Sequence, residues 1–81
     1  MIRVELFSTE NCHLCQEAKA VLLRVQREIP FTLEERKIIP GDPSYETYKE
    51  KVPVVFINNE EIFHYRVIER ALREKLRQAN E

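Results

Sequence analysis

Hydrophobic periodicity in this chain switches repeatedly between a strand pattern and a helix pattern, and turn or cap residues mark each switch. Ile2, Val4 and Leu6 alternate with charged residues across 2–7, which predicts a strand with one apolar face. Ser8-Thr9-Glu10-Asn11 is a polar link rich in capping residue types. Leu14, Ala18, Val21, Leu22, Val25 and Ile29 then recur at helical spacing, and Pro30 is expected to stop that helix. Residues 31–38 predict a second strand whose Glu34-Glu35-Arg36-Lys37 run suits a sheet edge, where charge discourages pairing with other molecules.

Pro40-Gly41-Asp42-Pro43 predicts a turn around the only glycine in the chain. Asp42 as N-cap and Pro43 at the first helical position open a short helix with Tyr45 and Tyr48 on its apolar side. Val54-Val55-Phe56-Ile57 is continuously apolar, as in a strand buried on both faces. Asn58-Asn59 suits a two-residue hairpin turn, after which Glu60 to Phe63 pairs back antiparallel. The last helix is expected to start near Arg66. Its buried stripe would be Val67, Ile68, Ala71, Leu72, Leu76 and Ala79, with fraying from Gln78 to Glu81.

The predicted order is β-α-β-α-β-β-α, an α/β chain whose first two strands run parallel through a helical crossover. Residues 1–81 are expected to form one domain with a small core. Thirteen basic and 14 acidic residues are well mixed, for a net charge of −1, so nothing points to nucleic acid or an anionic membrane. No apolar run reaches membrane-spanning length. The N-terminus enters the strand pattern directly, without the basic and apolar regions of a secretory signal, and the expected location is the cytoplasm.

Cys12 and Cys15 are the only cysteines, placed where the first strand gives way to the first helix. A thiol at a helix N-terminus faces unpaired backbone N–H groups and the positive end of the helix dipole. Both stabilise a thiolate, the reactive form of cysteine. A thiol three positions on lies one turn deeper on the same face and can attack a mixed disulfide formed at the first. The pair therefore reads as a dithiol redox site. His13, between them, is a candidate to tune the Cys12 thiolate and make the pair more oxidising, and equally an exposed first-turn residue without a task.

The alternative is half of a metal site. Zinc needs four ligands, and beyond the cysteines the chain offers only His13 and His64 as histidines. Covalent haem attachment is excluded because Gln16 stands where histidine is required. A non-catalytic redox-sensitive module, or a carrier of zinc or an iron–sulfur cluster, is the rival reading of the same pair. Glu28, Glu34 and Glu35 read as solvated surface.

The Cys-x-x-Cys at the head of the first helix, with Val52-Pro53 before the third strand, resembles the thioredoxin fold. The size of the chain and the run Val52-Pro53-Val54-Val55-Phe56-Ile57-Asn58 are most similar to the glutaredoxin branch, in a short glutaredoxin-like subgroup. The resemblance implies a mixed four-stranded sheet in the order 2-1-3-4 with helices on both faces, and thiol–disulfide exchange as the activity. It implies Cys12 as nucleophile, Cys15 as the resolving thiol, and Pro53 in cis facing the cysteines. Val52 would offer its backbone N–H and C=O to an extended substrate. Lys51, directly before it, is the best placed of Lys37, Lys49, Lys51 and Arg66 to meet a substrate carboxylate; an ordinary surface lysine is the plainer reading.

The implied partners are a protein or small molecule containing a disulfide, and a reductant that is either a dithiol reductase or glutathione. No cofactor and no metal is implied. His13 and Leu14 depart from the proline and aromatic residue common in glutaredoxins. Phe63-His64-Tyr65-Arg66-Val67 departs further, standing where glutathione-binding members carry Gly-Gly and then acidic residues. Weak or absent binding of free glutathione is therefore expected, with Phe63, His64 and Tyr65 as a possible wall of a substrate groove.

Overall fold

The structure is a computed structural model that describes residues 1–80. Its elements in chain order are β1 (Arg3–Ser8), α1 (His13–Gln26), β2 (Thr32–Lys37), α2 (Pro43–Tyr48), β3 (Val54–Ile57), β4 (Glu60–His64) and α3 (Glu69–Ala79). The four strands form one sheet in the order β2-β1-β3-β4, as expected from the resemblance. β1 and β2 are parallel, from Arg3 opposite Thr32 to Ser8 opposite Lys37. β3 runs antiparallel to β1, with Phe7 opposite Val54 and Val4 opposite Ile57.

Alternation along β1 and β3 decides which side chains meet the helices. Val4, Leu6, Val55 and Ile57 form one buried cluster with Ala18, Leu22 and Val25 of α1 and Leu72 and Leu76 of α3. Burial of each large side chain of this set contributes about 1.5–3 kcal/mol. The opposite face is covered differently. There Phe7, Phe56 and Tyr48 of α2 stack with ring centroids 5.2–5.9 Å apart. Glu5 shares that face and is only 7% exposed, with Arg3 and Arg36 guanidinium nitrogens each 3.3 Å from its carboxylate. The central place of β1 explains this burial, because long arginine stems from β1 and β2 lie over the carboxylate.

The hairpin closes as the sequence predicts. Asn58 and Asn59 have φ of 50° and 70°, the left-handed backbone that a two-residue turn requires. β4 extends one residue past Phe63, and a register shift between Val55 and Phe56 leaves Ile62 as the extra residue of a bulge.

Several element ends differ from expectation. α1 stops at Gln26 rather than running to Pro30. The N–H groups of Glu28 and Ile29 both donate to the Val25 carbonyl at 2.9 Å, and Gln26 Nε2 donates to the Phe31 carbonyl at 2.7 Å. The chain thus turns before the proline, and Ile29 still packs on the core. At the other end of that stripe, Leu14 is 47% exposed. α3 begins at Glu69 rather than near Arg66. Val67 enters the core from extended chain, whereas Ile68 is the N-cap and is 57% exposed, outside the predicted buried stripe. Asp42 does stand at the N-cap of α2, but its carboxylate accepts the Ile39 N–H at 3.0 Å and not one from the helix. Gln78 and Ala79, expected to fray, are helical; Glu81 lies outside the described residues. Among the described residues, no helix is long and apolar enough to cross a membrane.

Candidate active site

Strand register brings four loops to one end of the sheet. β1 ends at Ser8 beside Lys37, the last residue of β2, and the Ile38 N–H donates to the Ser8 carbonyl at 2.8 Å. β3 is antiparallel, so its first residue, Val54, lies opposite both Phe7 of β1 and His64 of β4. The segment that carries Cys12, the chain after β2, the Val52–Pro53 step and Tyr65 therefore share this end.

Asn11 takes φ of 56° and turns the chain into α1. Cys12 is the N-cap, with extended backbone angles, and its Sγ accepts the Cys15 N–H at 3.1 Å. The Cys12 carbonyl accepts the Gln16 N–H at 3.2 Å, the first bond of the helix. No acidic side chain occupies the first turn of α1. The positive end of the helix is thus left facing sulfur, and both the N–H and the dipole favour a Cys12 thiolate. Cys12 is half-buried, while Cys15 is 4% exposed. The two form a disulfide with Cα atoms 5.2 Å apart.

Beside the sulfurs is a cleft of about 200 Å³, lined among others by Ser8, Cys12, Cys15, Lys19, Glu35 and Lys37. Glu35 Oε1 accepts from Lys19 Nζ at 2.9 Å, and Glu35 Oε2 accepts from Ser8 Oγ at 3.4 Å. The lysine bond holds the Glu35 carboxyl below the usual glutamate range, against the opposing effect of burial. Sequence reasoning placed Glu35 among solvated residues and missed Lys19. The available signal was Lys19 itself, one helical turn after Cys15 on the same face. Glu35 carried no such signal, because its place opposite Leu6 depends on strand register.

His13 projects outward. Its side chain is 85% exposed, and Nε2 lies 3.2 Å from Glu17 Oε2, so a carboxylate meets the charge of a protonated ring. The Val52–Pro53 peptide bond is cis, as the resemblance implied, and Pro53 is fully buried. The Val52 N–H donates to the Tyr48 carbonyl at 3.1 Å, so a substrate strand pairing with it must displace that bond. Lys51 is exposed, and its carbonyl accepts the Tyr65 N–H at 3.0 Å. The same N–H also lies 2.9 Å from the Pro53 carbonyl, tying the β4–α3 connection to the Val52–Pro53 loop. Tyr65 adopts φ of 67°, an uncommon conformation for a bulky residue, and sequence reasoning did not anticipate it. Lys49 pairs with Glu46 at 3.0 Å. Among the described residues, no three His, Cys, Asp or Glu side chains converge as a metal-ligand group.

The fold and the helix-capping dithiol pair define a protein of the thioredoxin-like class with a thiol oxidoreductase type of site. More narrowly, the chain belongs to the glutaredoxin-like domain family (DUF836), whose sequence profile matches residues 3–77. It is similar to the solution structure of Ne2328 from Nitrosomonas europaea, with 29% identity over 91% of this chain and 89% of that one, and a TM-score of 0.78. Thioredoxin O2 from Arabidopsis thaliana, in its oxidised state, is 19% identical over 100% of this chain and 76% of that one, with a TM-score of 0.68. Glutaredoxin 1 from Francisella tularensis, complexed with cacodylate, is 19% identical over 100% of both chains, with a TM-score of 0.61. At such identity these last two likenesses bear on fold alone. No curated protein matches the chain.

Proposed function

We propose that this protein is a thiol–disulfide oxidoreductase that reduces protein or low-molecular-weight disulfides. The observation that carries the reading is the asymmetry of the pair: Cys12 is half-buried at the helix N-cap and its Sγ accepts the Cys15 N–H at 3.1 Å, while Cys15 is 4% exposed. In the reduced protein the Cys12 thiolate attacks one sulfur of a substrate disulfide. A mixed disulfide forms, and the other substrate sulfur leaves as a thiolate that takes up a proton. Cys15 then loses its proton and attacks Cys12 Sγ. The Cys12–Cys15 disulfide forms and the second substrate thiol is released. A dithiol reductant returns two electrons and two protons to the pair.

Glutathione is the weaker candidate for that reductant, because Phe63, His64 and Tyr65 occupy the positions where side-chain-free backbone would let it approach. His13 and Lys51 remain in this reading as the tuning residue and a contact for a substrate carboxylate. Val52 and Pro53 are the backbone edge against which substrate lies. The cytoplasm is the compartment proposed, on the ground that the chain spends both of its cysteines on one redox pair.

Turnover of a glutathionylated peptide, with either dithiothreitol or glutathione as electron donor, tests the proposal. Wild type turns over with the dithiol, and Cys15→Ser accumulates a mixed disulfide on Cys12 visible by mass spectrometry. No mixed disulfide on Cys12 of Cys15→Ser, with no wild-type turnover from either donor, would defeat it.

A further inference from the structure

The peptide group that joins Lys51 to Val52 is hydrogen-bonded at both of its polar atoms, and each bond is shared. Its N–H, that of Val52, donates to the Tyr48 carbonyl at 3.1 Å, and the same carbonyl accepts the Lys51 N–H at 2.8 Å. Its carbonyl, that of Lys51, accepts the Tyr65 N–H at 3.0 Å, and the same N–H lies 2.9 Å from the Pro53 carbonyl. In each pair the bond to this peptide is the longer one. A carbonyl has two lone pairs, and an N–H can be divided between two acceptors, so both partners keep a bond when the peptide turns away. The large penalty of breaking a bond inside a protein, a partner left unpaired, does not arise.

The surroundings hold the partners and leave the peptide loose. Tyr48 is anchored by its ring, which meets Phe7 and Phe56 edge-on with centroids 5.3 and 5.9 Å away. The Tyr65 N–H stays tied to Pro53, which is fully buried. Lys51, by contrast, is exposed and Val52 only half-buried, and α2, which leads into this turn, buries none of its residues. The range of motion is bounded as well. A residue before proline is kept in extended backbone over a φ range of roughly 80°, so Val52 lets the peptide tilt but not invert. A tilt within that range takes the Val52 N–H off the Tyr48 carbonyl, because hydrogen bonds weaken steeply as they bend. Strand register puts this peptide at the same end of the sheet as the cysteines.

We propose that the Lys51–Val52 peptide is a clamp with two positions. It is closed on Tyr48 and Tyr65 in the free protein. In the mixed disulfide it is tilted out, and the Val52 N–H bonds an acceptor oxygen of the substrate half held on Cys12. The proposal rests on the thiol–disulfide reading above and adds to it the movement of one peptide group. The closed position is favoured by roughly two- to tenfold, the worth of one ordinary hydrogen bond. Affinity for a substrate that uses the clamp is lowered by about the same factor.

Amide hydrogen exchange followed by NMR tests it, on full-length Cys15→Ser both unmodified and carrying a mixed disulfide at Cys12. Two adducts are compared: N-acetylcysteine methylamide, which has carbonyls near its sulfur, and ethanethiol, which has none. In the unmodified protein the Val52 amide should be protected only about two- to tenfold, and the Lys51 and Tyr65 amides at least about tenfold more than that. In the acetylcysteine adduct, Val52 protection should rise by about tenfold or more, with Lys51 and Tyr65 unchanged. In the ethanethiol adduct, Val52 should exchange as in the unmodified protein. Val52 protected as strongly as Lys51 before modification, or equally in the two adducts, would overturn the clamp and leave the thiol–disulfide reading standing. Loss of protection at Lys51 and Tyr65 in the acetylcysteine adduct would also overturn it, since the whole turn would then be opening. Failure of Cys12 to form either mixed disulfide would overturn the thiol–disulfide reading itself.

Discussion

The two ends of the sheet use left-handed backbone in opposite ways. Away from the cysteines, Asn58 and Asn59 close the β3–β4 hairpin, and Asn58 exchanges bonds only with Arg3: its N–H donates to the Arg3 carbonyl at 2.8 Å and its Oδ1 accepts the Arg3 N–H at 3.0 Å. Asparagine tolerates this conformation, so the turn needs no unsuited residue. At the cysteine end Tyr65 takes the same region of backbone space, and its N–H reaches two carbonyls of another loop. One end uses only residues suited to their backbone. The other combines a suited residue, Asn11 at φ of 56°, with Tyr65, which is not suited and is bonded across loops. Among the exposed large apolar side chains, Leu14, Ile39, Tyr65 and Ile68 lie on or beside the segments that meet at the cysteine end, whereas Met1 and Leu23 lie elsewhere. Local consistency yields where a site is built.

The comparison breaks most sharply on the cysteines. Cys12→Ser is expected to lower disulfide turnover by at least ~10³-fold while leaving the fold intact, because it removes the nucleophile and keeps an N-capping oxygen. Steady-state turnover and thermal unfolding of the same preparation check both halves. Retained turnover would move the reaction to another group.

The second effect is on stability. Leu22 is fully buried at the centre of the cluster that both ends of the sheet share. Leu22→Ala should cost about 2–5 kcal/mol in urea unfolding. A loss under 1 kcal/mol would mean that the two ends do not depend on one core.

How much of this was legible follows the range of the interactions involved. The strands, the hairpin and the dithiol at the helix N-terminus rest on periodicity, turn residues and neighbours a few positions apart, and the sequence states those directly. Ile68 was misplaced because its spacing fits the helical stripe of Leu72 and Leu76, while the backbone at Ile68 is still extended. Pro30 was a correct stop signal read too literally, since Gln26 and Val25 had already drawn the chain into a turn. Glu35 and Tyr65 were invisible for a different reason. Glu35 acts with Lys19 across 16 positions and with Ser8 across 27, and Tyr65 is held by loops that only the folded sheet brings near. Tyrosine has no preference for left-handed backbone that could have betrayed it.

Two substitutions sharpen the contrast between left-handed positions. Asn59→Ala puts an unsuited side chain at φ of 70° and should cost about 1–2 kcal/mol with no change in peptide turnover. Tyr65→Gly relieves the backbone but loosens the unfolded chain by about 0.5–1 kcal/mol, so net stability should move by less than about 1 kcal/mol. Its effect falls instead on peptide substrates, whose kcat/KM should drop severalfold. The reverse pattern, stability lost at Tyr65 and activity lost at Asn59, would dissolve the distinction between the two ends.

The smallest effect is an acid dependence of stability. Glu35 beside Lys19 at the cysteine cleft, and Glu28 and Glu69 beside Arg73 and Arg24 between α1 and α3, all titrate below the ordinary glutamate range in the folded chain. The partner's hydrogen bond is the leading cause in each case. Because folding lowers these values, the unfolded chain binds protons first as the medium is acidified. Their stabilisation is therefore complete above the ordinary glutamate value of about 4.3 and is lost as pH falls through the depressed folded values. The Lys19–Glu35 pair accounts for no more than about 1 kcal/mol of this, since an exposed pair is screened by solvent. Urea unfolding at neutral pH and in the acid range should show the decline, and Glu35→Gln should lessen its slope while lowering stability slightly at neutral pH. Added salt should shrink the difference between variant and wild type. An identical slope in the two proteins would show that the carboxylate at the cysteine cleft, unlike those between the helices, takes no part in holding its end of the sheet.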